Sequence, residues 1–137
     1  MALNVTLKVD VSVGEFLDKL TILEIKSERI KSEQKLRNVN RELELLRDIW
    51  AASPLSATDT GDLILRLRAV NERLWDIEDA IRRQEAAGDF GDEFIRLARA
   101  VYGENDERAR LKYKLNQLLG SDLIEVKEYP DYAGPTY

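Results

Sequence analysis

Residues 62–81, DLILRLRAVNERLWDIEDAI, place Leu63, Leu67, Val70, Leu74, Ile77 and Ile81 at alternating spacings of four and three. Such a stripe returns to one face of an α-helix and forms the seam of a helix packed nearly parallel to its neighbours. Gly88 follows the stripe, where a left-handed residue can close a helix. This segment sets the expectation of a helical bundle, and the flanking sequence is read against it.

Toward the N-terminus, residues 53–61 hold Pro54 and several Ser and Thr residues and predict the longest loop. Before them, Leu36, Val39, Leu43, Leu46 and Trp50 form a second stripe, and Phe16, Leu20, Leu23, Ser27 and Ile30 a first. Ser12 and Glu15 have capping-box spacing, so the first helix is expected to start at about Val13. The step from Ile30 to Leu36 is six residues where the repeat needs seven, which predicts a break near residues 31–35 and a helical hairpin. The alternative is one continuous helix over 13–51, about 57 Å long at about 1.5 Å per residue. Toward the C-terminus a fourth helix is expected from about Asp92, through Phe94, Leu97, Val101, Leu111, Leu115 and Leu118, to Gly120, with Gly103 a candidate kink.

Both ends change period. Residues 3–11, LNVTLKVDV, and 123–129, LIEVKEY, alternate apolar and polar as half-buried strands do. Two lone strands are most simply used by pairing. Four antiparallel helices would bring them together within one molecule, whereas the long-helix alternative would pair them between subunits. The expected fold is therefore mostly α, an antiparallel bundle of long helices plus a small two-stranded sheet from the terminal strands. Residues 1–129 read as one helical domain and 130–137, with Pro130, Gly134 and Pro135, as a mobile tail.

A chain of 137 residues supports one core. With 44% hydrophobic and 34% charged residues, 7 Gly and 3 Pro, it is too apolar for disorder and too poor in turn residues for a β-sandwich. The net charge of -5 argues against general nucleic-acid binding. Having neither His nor Cys, the chain lacks the ligands for zinc or haem and the residues for thiol or Ser-His-Asp catalysis, so no cofactor is expected. No apolar run reaches membrane-spanning length and no signal pattern opens the chain, which makes a cytoplasmic location the default expectation.

The segments VSVGEFLDKLTILEIKSERI, NERLWDIEDAIRRQE and GDFGDEFIRLARAVYGENDERARLKYKLNQLLGSDLIEVKEY together resemble a family of short bacterial proteins of unknown function. The resemblance spans most of the chain. Members often carry a Pro-containing break where this chain has Lys31-Ser32-Glu33-Gln34, which implies the hairpin. Their association with glycosyltransferase-like and repeat-containing proteins of surface polysaccharide synthesis implies a protein partner, and no reaction.

Three groups of residues are candidates for function. Asp76, Glu78 and Asp79 put three carboxylates within one helical turn, and Glu15 could join them from the first helix to hold magnesium or manganese for a hydrolase of nucleotides or sugar phosphates. Their simpler reading is a solvated face with Glu-to-Arg pairs one turn apart. Leu45 and Ile49, or Ile64 and Leu65, widen the apolar stripes beyond one core face, as a subunit contact would. Glu104 and Arg108 occupy seam positions between Val101 and Leu111, with Asn105 and Asp106 beside them. They predict either an inward polar network or, if Gly103 bends the helix, a solvated pair. On this reading the protein is a self-associating, non-catalytic helical module that docks on a cytoplasmic enzyme, with the metal-dependent hydrolase as the alternative.

Overall fold

The computed structural model describes residues 4–131. Among them are four α-helices: α1, Val13–Arg29; α2, Glu33–Ala52; α3, Leu63–Ala86; and α4, Asp92–Leu119. A short 3-10 turn, Pro54–Ala57, occupies the loop after α2. The expected tail lies outside the described residues from 132 onward, as does Leu3 of the first expected strand.

Helix boundaries follow local chemistry. The Ser12 hydroxyl accepts the Glu15 N–H at 3.1 Å, which is half of a capping box. The other half is not made, because the Glu15 carboxylate turns to Lys112 on α4. The first break falls at residues 30–32, where Ile30 is extended and the Ser32 hydroxyl accepts the Lys35 N–H. Residues 13–51 therefore form a hairpin of two helices, the second one capped at Ser32. Gly88 at φ +67° lets its own N–H and that of Asp89 reach back to Glu85 and Gln84, closing α3. Gly120 closes α4 in the same left-handed region. Helix α4 passes through Gly103 without interruption.

Helix α1 lies at the centre and touches all three others, while α3 and α4 share the most extensive contact. Leu17, Leu20 and Leu23 of α1 meet Leu43 and Leu46 of α2, Leu67, Val70 and Leu74 of α3, and Leu111, Leu115 and Leu119 of α4. Three neighbours leave α1 little exposed surface, so its polar Asp18 and Thr21 are buried too. Asn71 of α3 satisfies them, donating to Asp18 at 2.8 Å and to the Thr21 hydroxyl at 3.0 Å. Buried polar groups require such partners.

Helix lengths set the shape. Helices α1, α3 and α4 have 17, 24 and 28 residues. At about 1.5 Å per residue they span about 26 Å, about 36 Å and about 42 Å. Arg29, the last residue of α1, reaches Glu72 and Asp76. The remainder of α3 runs on beyond that end and returns as the first turns of α4, with Phe90 edge-on to Phe94 and Leu97 buried.

The expected two-stranded sheet does not form. Among the described residues there is no strand. Val5, Leu7 and Val9 are 73%, 89% and 78% exposed, and Val126 is 87% exposed. An alternating segment gains stability only when something covers its apolar face, and a bare two-stranded ribbon is marginal in water. The C-terminal segment runs beside α4, where Lys127 and Tyr129 wall a groove, yet Val126 is left uncovered. Side chains join the two ends instead: Ser12 donates to Glu125 at 2.9 Å, and the Val13 N–H donates to the Ser121 hydroxyl at 3.0 Å.

Candidate functional site

Two places gather polar side chains in ways the hydrophobic core does not require. The first is the base from which both terminal segments leave the bundle. Lys112 is only 7% exposed, and its ammonium donates to Glu15 at 2.6 Å and to Glu125 at 3.0 Å, with Asp18 at 4.0 Å. One cation thereby ties the first turn of α1, the last third of α4 and the C-terminal segment together. Burial alone would push the Lys112 pKa down, but the surrounding carboxylates outweigh it and hold the ammonium above the usual lysine range. Burial would likewise push Glu125 up. Its hydrogen bonds from Lys112 and Ser12 prevail and hold it below the usual carboxylate range.

Close approach makes this junction possible. A Cβ on Gly14 would lie 2.6 Å from the Lys112 carbonyl oxygen and 3.0 Å from Asn116 Oδ1, so α1 meets α4 where glycine leaves room. The Gly14 N–H donates to that same Asn116 oxygen at 2.6 Å. In sequence Lys112 reads as part of a surface basic run, because Arg108, Arg110 and Lys114 surround it. Its position one residue after the buried Leu111 is the signal that sets it apart.

The second place is a cleft of about 490 Å³ at the end of α1. It exists because α1 stops while α3 and α4 continue. Ile22, Ile25 and Leu74 supply its apolar surface, and Trp75, Asp79 and Arg82 line it from α3. Asn105 and Arg108 line it from α4. Trp75 is held by the Arg29 guanidinium, 5.9 Å from its ring centroid, within the range of a cation–π contact. A longer groove of about 1210 Å³ follows the outer side of α4 from Asp92 to Arg108 and is walled by Lys127, Tyr129 and Pro130. Asn105 and Arg108 stand between the two depressions.

The structure disperses some expected groupings and assembles others. Glu104, Asn105, Asp106 and Arg108 are all partly buried. Glu104 is paired across the helix interface with Arg73, at 2.9 Å, and its second oxygen is buried without a partner among the described residues. Arg108 makes no hydrogen bond or ion pair among the described residues, and neither does the Asn105 side chain. The expected metal ligands stand apart: Glu15 binds Lys112, Asp76 binds Arg29 at 2.5 Å, and Glu78 pairs with Arg82 at 3.3 Å. Of the four, only Asp79 keeps a carboxylate unpaired among the described residues. No three carboxylate, His or Cys groups converge on a cation position among the described residues. Of the expected contact pairs, Leu45 and Ile49 are 56% and 51% exposed on α2, and Leu65 is 72% exposed, whereas Ile64 packs against the core.

No described helix is long and apolar enough to cross a membrane. No curated protein and no solved structure matches the chain. A family model for a family of unknown function, DUF6165, matches residues 7–135, which is nearly the whole chain, and the protein belongs to that family.

Proposed function

We propose that the protein is a non-catalytic, self-associating helical module whose extended ends pair with a second copy. One observation carries this reading. Residues 4–11 and 123–129 have the apolar alternation of half-buried strands, yet their backbones make no ladder and their apolar side chains are exposed. Unpaired edges of that kind are templates for another chain. The Lys112 junction holds both segments at one end of the bundle, so two copies meeting there would offer each other two strands apiece. Lys8 and Asp10 on one segment and Glu125, Lys127 and Glu128 on the other give both segments mixed charge, which permits opposite charges to face across a ladder. The exposed Leu45 and Ile49 offer a further apolar patch on α2 for a larger docking partner. A cytoplasmic enzyme of the glycosyltransferase-like class implied by the family resemblance is the proposed partner.

Light scattering at micromolar concentration tests self-association. The expected species has twice the 15.7 kDa chain mass. Val9→Pro and Val126→Pro each remove a ladder donor at a water-exposed position, so each is expected to shift the species toward monomer while the helical content of the bundle is kept. A wild-type chain that scatters only as a monomer overturns the reading.

A further inference from the structure

We infer that the cleft at the end of α1 binds a nucleoside monophosphate or a close chemical relative, with the anionic group on Arg108 and Asn105 and the planar body against Trp75. The cleft holds about 490 Å³. Small-molecule sites run from about 300 to about 1000 Å³, so the space suits a ligand of this size. Arg108 is a partly buried guanidinium with no protein acceptor among the described residues, although nearby guanidinium groups such as Arg73, Arg82 and Arg110 all have one. A fork of N–H donors left in that condition is suited to the oxygens of a phosphate, which it can meet in bidentate fashion. Asn105, close to one turn earlier on the same helix, adds an uncommitted amide to the lining.

The α1 and α3 residues of the lining suit the rest of the ligand. Trp75 with Ile22, Ile25 and Leu74 supplies an aromatic and apolar part of the lining, which favours a planar ring over a free ion. Asp79 has no cation partner among the described residues and lines the cleft, where it can accept from sugar hydroxyls. Glu78 and Arg82 neutralise each other there. The lining thus balances two cations against two carboxylates, with Arg108 on α4 and Asp79 on α3 left uncommitted. A ligand carrying its negative group at one end and hydroxyl donors along its body matches that order, whereas inorganic phosphate alone would leave the apolar wall and Asp79 unused. The inference is independent of strand pairing, since neither terminal segment contributes to this cleft.

Uridine 5′-monophosphate is a suitable probe, with uridine and inorganic phosphate as its two halves. Titration into the ¹⁵N-labelled full chain is expected to give saturable shifts at Trp75, Asn105 and Arg108, with each half binding at least about tenfold more weakly. Arg108→Gln is expected to weaken the nucleotide by about tenfold or more, the cost of one hydrogen-bonded charge. Arg108→Lys keeps the charge without the fork and should fall between. Asp79→Asn, at an exposed position, should weaken uridine 5′-monophosphate and leave the melting temperature unchanged. Absence of saturation, equal binding of inorganic phosphate and the nucleotide, or an Arg108→Gln chain that folds and binds as wild type each overturns the inference.

Discussion

Replacing Lys112 with Met roughly keeps the length of the side chain and removes the cation from the junction. Three carboxylates then lose their counter-charge: Asp18, whose side chain is 7% exposed, and Glu15 and Glu125, which are 43% and 40% exposed. Breaking a fully buried pair costs about 3–5 kcal/mol, because the charge left behind has no solvent. Here two of the three carboxylates can rehydrate, and Asp18 keeps its hydrogen bond from Asn71. The expected loss is therefore about 2–4 kcal/mol, or about 8–16 °C in melting temperature at about 4 °C per kcal/mol. The dependence on pH has a definite sign. Lys112 has a raised folded pKa, so its contribution is complete below the unfolded value of about 10.4 and fades as pH climbs through the folded value. Glu125 has a lowered one, so its contribution is present above the unfolded value of about 4.3 and fades as pH falls through the folded value. Urea melts of wild type and Lys112→Met at neutral pH should therefore differ most, and the gap should narrow in acid. A gap under about 1 kcal/mol at neutral pH would mean that the junction behaves as a surface pair, and would refute the reasoning.

Gly14→Ala should cost about 1–3 kcal/mol in the same melt, because its Cβ meets the Lys112 carbonyl at 2.6 Å and backbone must move. Asn71→Leu leaves buried Asp18 and Thr21 without their shared donor and should cost about 1–3 kcal/mol; an unchanged midpoint would show that water replaces the amide. Arg73→Ala should destabilise more than Arg108→Ala, since Arg73 holds the partly buried Glu104, and the reverse order would place the Glu104 partner wrongly. Millimolar Mg²⁺ or Mn²⁺ should leave the melting temperature where it is, since the carboxylates once expected to bind it stand apart, and a site that binds only the folded state must raise it.

The helices are legible in sequence because periodicity reports a buried face directly. The four-three stripe from Leu63 to Ile81 is the α3 seam, and the missing residue between Ile30 and Leu36 marks the hairpin. Stripe reading undervalues α1. Leu17, Thr21 and Ile25 are among its most buried residues and lie off the expected seam, because a helix with three neighbours has more than one seam. A search for one apolar face per helix also has no place for Asp18, Asn71 and Lys112. Their burial is acceptable only through distant partners, Asn71 being 53 residues from Asp18 and Lys112 being 97 from Glu15. The cleft is hidden for a related reason. It depends on α1 ending well before α3 and α4, which is a difference between element lengths and leaves no mark on any one segment. Glu104 and Arg108 stand out as interruptions of the fourth stripe, with Asn105 beside them, yet the stripe cannot say that Arg108 and Asn105 border a depression.

The terminal segments show what alternation can and cannot specify. A period of two states that one face wants cover, and it is silent on which surface supplies it. Val5, Leu7, Val9 and Val11 keep that pattern, and Ile124 and Val126 repeat it at the other end. Within one chain the helices are already satisfied by one another: α1 is enclosed, and the second segment runs back beside α4 with Val126 and Tyr129 still exposed. Ser12, Ser121 and Glu125, at the roots of the segments, are the residues that find partners at the bundle's end. On the proposed self-association, the cover for this exposed apolar surface would come from a second copy. The Val9→Pro substitution separates this explanation from idle exposure, because it alters pairing capacity away from the junction of Ser12, Glu15, Lys112 and Glu125.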